Sequence, residues 1–195
     1  MVDKIHSSFR VVLGTELHEF AATQITLCHR FSSVKSLKEN FETYLYPKYT
    51  NSDGDDLNDY GKKIIYEIGF LPKEVFETVK NYINDCVSFK MTPEQPLVYS
   101  LYFYGTTDCI SFRSNVLRIH DLKTGSLPVH IEQLEIYAAL FCLEYDIKPS
   151  DISIELRIYQ NGEILHYEPE TDEIVPIMDL IVSSDKELSK IYGGI

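Results

Sequence analysis

Apolar residues recur at helical spacing through the first half of the chain. In "GTELHEFAATQITLCHRF", which starts at Gly14, they return every three or four positions, and Thr15 is a suitable N-cap, so a helix is predicted to begin there. The same spacing, interrupted at Pro47 and Pro72, predicts three further helices. They cover about 34–46, 57–68 and 73–87.

The pattern changes after residue 95, where β-branched and aromatic residues become frequent. This stretch predicts three strands, at about 96–104, 107–112 and 116–122. Helical spacing then returns in "SLPVHIEQLEIYAALFCLEYD", which predicts a helix opened by Pro128.

The last part of the chain predicts a hairpin and a closing helix. Asn161-Gly162 lies between two alternating segments and is the strongest hairpin signal in the sequence. The final helix is predicted over about 172–189. The order of elements predicts a mixed α/β fold, and a length of 195 residues suits one domain spanning 1–195.

Composition limits the classes of protein that fit. A hydrophobic content of 44% with 25% charged residues indicates a globular chain, and no apolar run reaches the roughly eighteen residues of a membrane span. The N-terminus has no signal-peptide core, so a cytoplasmic location without membrane association is expected. The four cysteines are widely scattered without a C-x-x-C pair, which argues against a zinc ribbon or a disulfide framework. With a net charge of −12, extended non-specific binding to a phosphate backbone should be weak, so any nucleic-acid binding would depend on a local site.

Candidate chemistry centres on two acids and a lysine. Asp121 and Lys123 are two residues apart at the end of a predicted strand, so both side chains point to the same face. An isolated pair of this kind is usually an ordinary surface pair. Asp108, however, falls on the preceding strand, and two carboxylates on adjacent strands are costly unless a cation lies between them. Hard carboxylate oxygens suit Mg²⁺ or Mn²⁺.

Two other features accompany these acids. His18 follows Gly14 in the predicted first helix, and Gln133 and Tyr137 are at i and i+4 on the helix after the D-x-K strand, so these two side chains share a face. Taken singly, a histidine on an amphipathic helix is more often a core or surface residue than a ligand.

Four segments together resemble the PD-(D/E)XK nuclease superfamily in its RecB-like branch, which includes CRISPR-adaptation nucleases and phage exonucleases. The matching segments are "GTELHE" (14–19), "GTTDCISF" (105–112), "IHDLKTG" (119–125) and "QLEIYA" (133–138). They correspond in order to the branch's helix histidine, first acid, D-x-K strand and Q-x-x-x-Y helix. The resemblance implies a restriction-endonuclease-like core, with a central mixed sheet flanked by helices. Residues 35–90 match nothing in this pattern and would be a helical insertion within that core.

The resemblance implies a metal-dependent deoxyribonuclease, most simply an exonuclease acting in repair, recombination or phage DNA processing. Asp108 and Asp121 would hold Mg²⁺ or Mn²⁺, with His18 and the Leu122 carbonyl as further ligands. Lys123 would contact the attacking water or a phosphate oxygen and help to orient and deprotonate the nucleophile. The resemblance implies that Gln133 and Tyr137 position the substrate strand or the lysine. Glu19 and Glu94 are weaker candidates for outer acids.

Two departures keep rival functions open. The iron–sulfur members of the branch carry three cysteines after the nuclease core, whereas no cysteine follows Cys142 here, so no cluster is expected. The acidic charge favours a catalytically silent nuclease-fold subunit of a repair or defence assembly, or a nuclease that acts beside a helicase or recombination protein.

Cations that could line the entrance to the site fall mainly in the insertion; they are Arg30, Lys35, Lys38, Lys48, Lys62, Lys63, Lys73, Lys80 and Lys90. The sequence leaves strand polarity and oligomeric state open.

Overall fold

The computed structural model describes residues 2–50, 56–125 and 127–192, with side chains from residue 11 onward. Its internal contacts divide the chain into two compact units. Unit 1 consists of Met1–Ser88, Leu122–Ser126 and Tyr159–Glu163. Unit 2 consists of Phe89–Asp121, Leu127–Ile158 and Ile164–Ile195. The prediction of a single nuclease-like domain with an insertion at 35–90 stays a prediction.

Unit 1 is mainly helical. Its helices are α1 (Val2–Thr26), α2 (Val34–Leu45), α3 (Asp59–Ile68) and α4 (Lys73–Ser88), and a short 3₁₀ turn over Tyr46–Lys48 follows α2. Side-chain caps mark two helix starts. Ser33 accepts a hydrogen bond from the Ser36 amide, and Asn58 accepts one from the Gly61 amide.

The apolar stripes predicted from the sequence form the core of unit 1. α1, α2 and α4 pack against one another, and α1 also packs against α3. The most deeply buried residues on these helices include Leu17, Phe20, Leu37, Phe41, Leu45, Ile64, Ile68, Val79 and Ile83.

The predicted start of the first helix is wrong. α1 begins at Val2 and passes through Gly14 without a break. Thr15 is not an N-cap, because it is inside the helix, where its hydroxyl donates to the Val11 carbonyl at 3.3 Å. A glycine within a helix costs only about 1 kcal/mol, so the surrounding helical sequence outweighs it.

Unit 2 is built on a five-stranded sheet in the order β1-β2-β3-β4-β5. The strands are β1 (Thr92–Val98), β2 (Tyr104–Arg113), β3 (Val116–Leu122), β4 (Ser153–Gln160) and β5 (Glu163–Tyr167). β1, β2 and β3 form an antiparallel meander. β3 and β4 are parallel. Where the two strands begin, the amide of Ser153 donates to the carbonyl of Asn115, and where they end, the amide of Lys123 donates to the carbonyl of Tyr159.

Helices α5 (Glu132–Glu144) and α6 (Thr171–Tyr192) pack with this sheet. α5 connects β3 to β4, which gives the crossover that parallel strands require. The core consists of apolar side chains from the sheet and both helices, among them Leu97, Ile110, Leu117, Ile119, Leu134, Ala138, Leu156, Ile158 and Ile174.

The Asn161-Gly162 hairpin is as predicted. Both residues have positive φ, 52° and 80°, which a type I′ turn requires. The predicted mixed α/β class is also confirmed: the protein has a five-strand mixed sheet flanked by helices.

Two predicted boundaries in unit 2 are wrong. The first strand is Thr92–Val98 and not 96–104, because Pro93 and Pro96 are tolerated on β1, an edge strand. α5 begins at Glu132, four residues after Pro128, and its first amides donate to the Ile131 carbonyl. The proline therefore lies in the connection from the sheet and does not open the helix. Of the helices within the described ranges, none has the length and apolarity needed to cross a membrane.

Candidate functional site

The two predicted metal-binding aspartates lie on adjacent strands of unit 2, Asp108 on β2 and Asp121 on β3. The paired register of these strands ends with Cys109 and His120, and its continuation by one residue would set Asp108 opposite Asp121. Side chains of directly opposed residues in an antiparallel pair lie on the same face, about 4.5–5.5 Å apart at Cβ. Like charges in this arrangement are mutually destabilising, and a cation between them would offset that cost.

A third acid, Glu94, is on β1, the other neighbour of β2. The β1–β2 register pairs Pro93 with Cys109 and Gln95 with Thr107, and the position of Glu94 between them is not part of the paired register. Glu94 has a left-handed backbone, with φ of 51°, which is uncommon for a non-glycine residue and departs from regular strand geometry. Of the three acids, Glu94 is exposed, Asp108 is half-buried and Asp121 is 5% exposed.

The predicted glutamine and tyrosine contact each other and the strand that carries Asp108. Gln133 Nε2 donates to the Tyr137 hydroxyl at 3.1 Å. The Tyr137 ring lies against Gly105 on β2, where a Cβ would come within 2.6 Å of Tyr137 Cε1. Gly105 is therefore needed for this contact, since any side chain there would displace the ring.

The histidine and the lysine both belong to parts of unit 1. Gly14 and His18 are one turn apart on the same face of α1. Gly14 approaches Thr124 so closely that a Cβ would be 3.0 Å from the Thr124 Oγ1. Lys123 is the neighbour of Thr124, and its amide donates to the Tyr159 carbonyl at 2.9 Å. Leu122, whose carbonyl is a predicted ligand, is fully buried at the end of β3.

Glu19, predicted as a candidate outer acid, takes part in an ion-pair network. Lys48 Nζ donates to Glu16 Oε2 at 2.7 Å and to Glu19 Oε2 at 2.6 Å, and it lies 4.5 Å from the centre of the Tyr44 ring. The Tyr49 hydroxyl donates to the other Glu16 oxygen. Burial alone would lower the pKa of Lys48, but its hydrogen bonds to Glu16 and Glu19 raise that pKa overall. Burial and the bond to Glu16 raise the pKa of Tyr49.

The residue next to Asp121 belongs to a second charged cluster, in unit 2. Glu155 forms ion pairs with Arg118 at 3.0 Å and Arg157 at 2.7 Å, and both guanidinium groups lie over the Phe89 ring. His120 meets that ring edge-on and is fully buried. Burial, followed by the charges of Arg157 and Arg118, lowers the pKa of His120 to about 3.

Sequence reasoning missed the Lys48 network and the Arg118–Glu155–Arg157 cluster. Strand alternation in β3 could have indicated the second cluster. Arg118 and His120 alternate with Ile119 and Asp121, so the first two side chains lie on the face of the strand opposite to Asp121. Nothing in the spacing of Lys48 from Glu16 connects them, because the 3₁₀ turn and α1 are distant along the chain.

The predicted cations of the insertion are partly engaged by carboxylates. Besides Lys48, three lysines of the predicted set form ion pairs; these are Lys35 with Glu39, Lys62 with Asp56 and Lys73 with Glu77. Within the described ranges, no group of three or more histidine, cysteine or acidic side chains is arranged to hold a metal ion. The joint ligand set of His18, Asp108 and Asp121 stays a prediction.

Comparison with known protein families matches residues 6–186 to a family described as a protein of unknown function, DUF2800. This match covers most of the chain. No curated protein matches the sequence.

Proposed function

We propose a function for this chain, which belongs to the DUF2800 family: it is a metal-dependent nuclease that hydrolyses DNA phosphodiester bonds, most simply as an exonuclease. The observation that carries the proposal is the pairing of Cys109 with His120, each of which is next to a predicted metal-binding aspartate: Asp108 on β2 and the buried Asp121 on β3, two residues before Lys123. The proposed fold is the PD-(D/E)XK core. An antiparallel meander followed by a helical crossover to a parallel strand supports it.

The chemistry of the two aspartates fits a divalent ion. Opposed carboxylates present hard oxygen ligands, which Mg²⁺ and Mn²⁺ prefer. By the resemblance, His18 and the Leu122 carbonyl would add to the ligand set. When bound, the ion supplies a water of lowered pKa and neutralises charge on the scissile phosphate.

The remaining residues would act on the substrate and the water. Lys123 would orient the attacking water and stabilise negative charge on the phosphate. Gln133 and Tyr137, which are already hydrogen-bonded to each other beside β2, would position the DNA strand. Since each 1.4 kcal/mol is a factor of ten in rate, loss of either the metal or the lysine should nearly abolish cleavage.

A cleavage assay on end-labelled single- and double-stranded DNA, with and without Mn²⁺, tests this function. Asp121→Asn and Lys123→Ala should each lower the rate by at least about a hundredfold. The matched control is Asp56→Asn, which neutralises an exposed carboxylate paired with Lys62 and should cleave as the wild type does. Wild-type rates in both site variants would refute the assignment.

Metal binding gives a second, independent readout. Asp108→Asn removes one of the two proposed carboxylate ligands, so it should abolish the stabilisation that Mn²⁺ gives the wild type. His18→Ala should weaken Mn²⁺ binding in calorimetric titration. If Mn²⁺ stabilises the wild type and Asp108→Asn equally, the two aspartates are not its ligands.

The second candidate function is a nuclease-fold subunit that binds DNA or a protein partner without cutting. The net charge of −12 and the ion pairing of Lys35, Lys62 and Lys73 favour it, because these cations are already compensated by carboxylates. A protein that binds Mn²⁺ but leaves every DNA substrate intact would favour this alternative over the enzyme.

A further inference from the structure

We propose that Gln160 is a positioning residue for Lys123, and this inference rests on the proposed nuclease function. The relevant geometry lies within unit 1, where Lys123–Gly125 is held at both ends by two consecutive residues. The Lys123 amide donates to the Tyr159 carbonyl at 2.9 Å, and Gln160 Nε2 donates to the Gly125 carbonyl at 2.7 Å.

The residues that hold this segment are themselves anchored. Tyr159 is fully buried, its hydroxyl donates to Asp85 Oδ2 at 2.8 Å, and its ring packs edge-on against Tyr82. Just beyond Gln160, the Gly162 amide donates to Thr78 Oγ1 at 2.7 Å. Because Asp85, Tyr82 and Thr78 all belong to α4, the end of β4 is fixed to a helix core.

Gln160 supplies a side-chain bond to the far end of this segment. β3 ends at Leu122, and a Cβ on Gly125 would meet nothing within 4 Å. Glycine has more backbone freedom than any other residue, so the segment after Lys123 can shift unless something holds it. Thr124 is limited on one side by Gly14 of α1, and the amide of Gln160 holds the next residue.

We infer that this bond fixes the position of the Lys123 backbone, and therefore the position from which the lysine side chain extends. Misplacing a catalytic group by about 1 Å can cost a large factor in rate. Loss of the bond should therefore lower kcat, while KM and Mn²⁺ affinity should not change, since Gln160 is not among the residues proposed to bind the substrate or the metal.

Gln160→Glu is the sharpest test because it keeps the size of the side chain and removes the N–H donor. Hydrogen exchange across residues 122–125 should become several-fold faster, and kcat should fall about fivefold with KM and the Mn²⁺ dissociation constant within twofold of wild type. The matched control is Asn40→Asp, which likewise removes an amide donor to a backbone carbonyl, that of Ser36, and should change neither readout.

The outcomes separate this inference from the function on which it rests. If the wild type cleaves no substrate, the proposed function fails and the role of Gln160 fails with it. If the wild type cleaves and Gln160→Glu has an unchanged kcat, only the inference is overturned. Unchanged hydrogen exchange in Gln160→Glu would equally overturn it, because the amide would then not hold the segment.

Discussion

Replacing Lys48 with methionine should destabilise the protein more than removal of any of the other three ion-paired lysines described above. Methionine keeps most of the length and apolar stem of lysine and loses the charge. The variant removes the bonds to Glu16 and Glu19 together with the cation held over the Tyr44 ring.

The expected magnitude follows from how exposed each partner is. The Glu19 side chain is 55% exposed, so its pair with Lys48 contributes below about 1 kcal/mol. The Glu16 side chain is only 11% exposed. Removing the partner of a fully buried charge costs about 3–5 kcal/mol of stability. Lys48 is 32% exposed, so solvent screens part of this cost, and the Tyr49 hydroxyl continues to donate to Glu16. The total should be about 2 kcal/mol.

Urea unfolding at pH 7 measures this loss, with Lys73→Met as the matched control. Lys73 also binds a glutamate at 2.7 Å, but it is 73% exposed, so its loss should cost under about 0.5 kcal/mol. Because the folded-state pKa of Lys48 is raised, its contribution should be complete below about pH 10 and should decline at higher pH.

A double-mutant cycle with Glu16→Gln isolates the buried half of the network. If Lys48 chiefly compensates Glu16, the cost of Lys48→Met should fall by about 1 kcal/mol or more when Glu16 is already neutral. Equal costs for Lys48→Met and Lys73→Met, or a coupling energy near zero, would show that burial of Glu16 does not control the stability of this network.

Three other predictions concern unit 2 and the hairpin turn. Because burial lowers the pKa of His120 to about 3, the folded state takes up its proton less readily than the unfolded state, so stability should fall as pH drops from about 6.5 towards 3, by up to about 1.4 kcal/mol per unit. In urea unfolding at several pH values, His120→Gln should reduce the dependence of the free energy of unfolding on pH. An unchanged dependence would contradict the lowered pKa of His120. Gly105→Ala should cost about 1–3 kcal/mol in thermal or urea unfolding by displacing the Tyr137 ring, whereas Gly125→Ala, where the added Cβ meets nothing within 4 Å, should cost much less. Asn161→Ala should cost about 1 kcal/mol because its φ is 52°, and a neutral result would argue against the type I′ turn.

Local pattern predicted most elements well. Strand β3 was predicted at its observed bounds, α2 and α4 were predicted within a residue, and the Asn161-Gly162 turn was predicted from its dipeptide alone. These features depend on side-chain periodicity and on residues with particular backbone preferences, both of which are properties of short segments.

The errors arose where tertiary contacts override local signals. Gly14 and Thr15 suggest a helix start, but packing of α1 against other helices carries the helix through them. Pro93 argues against a strand before residue 96, but the edge position of β1 tolerates it.

For the candidate site, the sequence by itself determined the spacing of Asp121 and Lys123 and the shared helix face of Gln133 and Tyr137. It could not determine which residue faces Asp108. That depends on the register between β2 and β3, in which Cys109 pairs with His120. Register depends on pairing between segments, and a shift of one residue would turn every side chain to the other face.

The same distinction applies to the residues that hold the site. No local pattern connects Lys48 to Glu16 or Gln160 to Gly125, since 32 and 35 positions separate them along the chain. These contacts exist only because helix packing and strand pairing bring distant segments together. Sequence periodicity therefore determined the elements and the candidate chemistry, and tertiary structure decided which side chains meet.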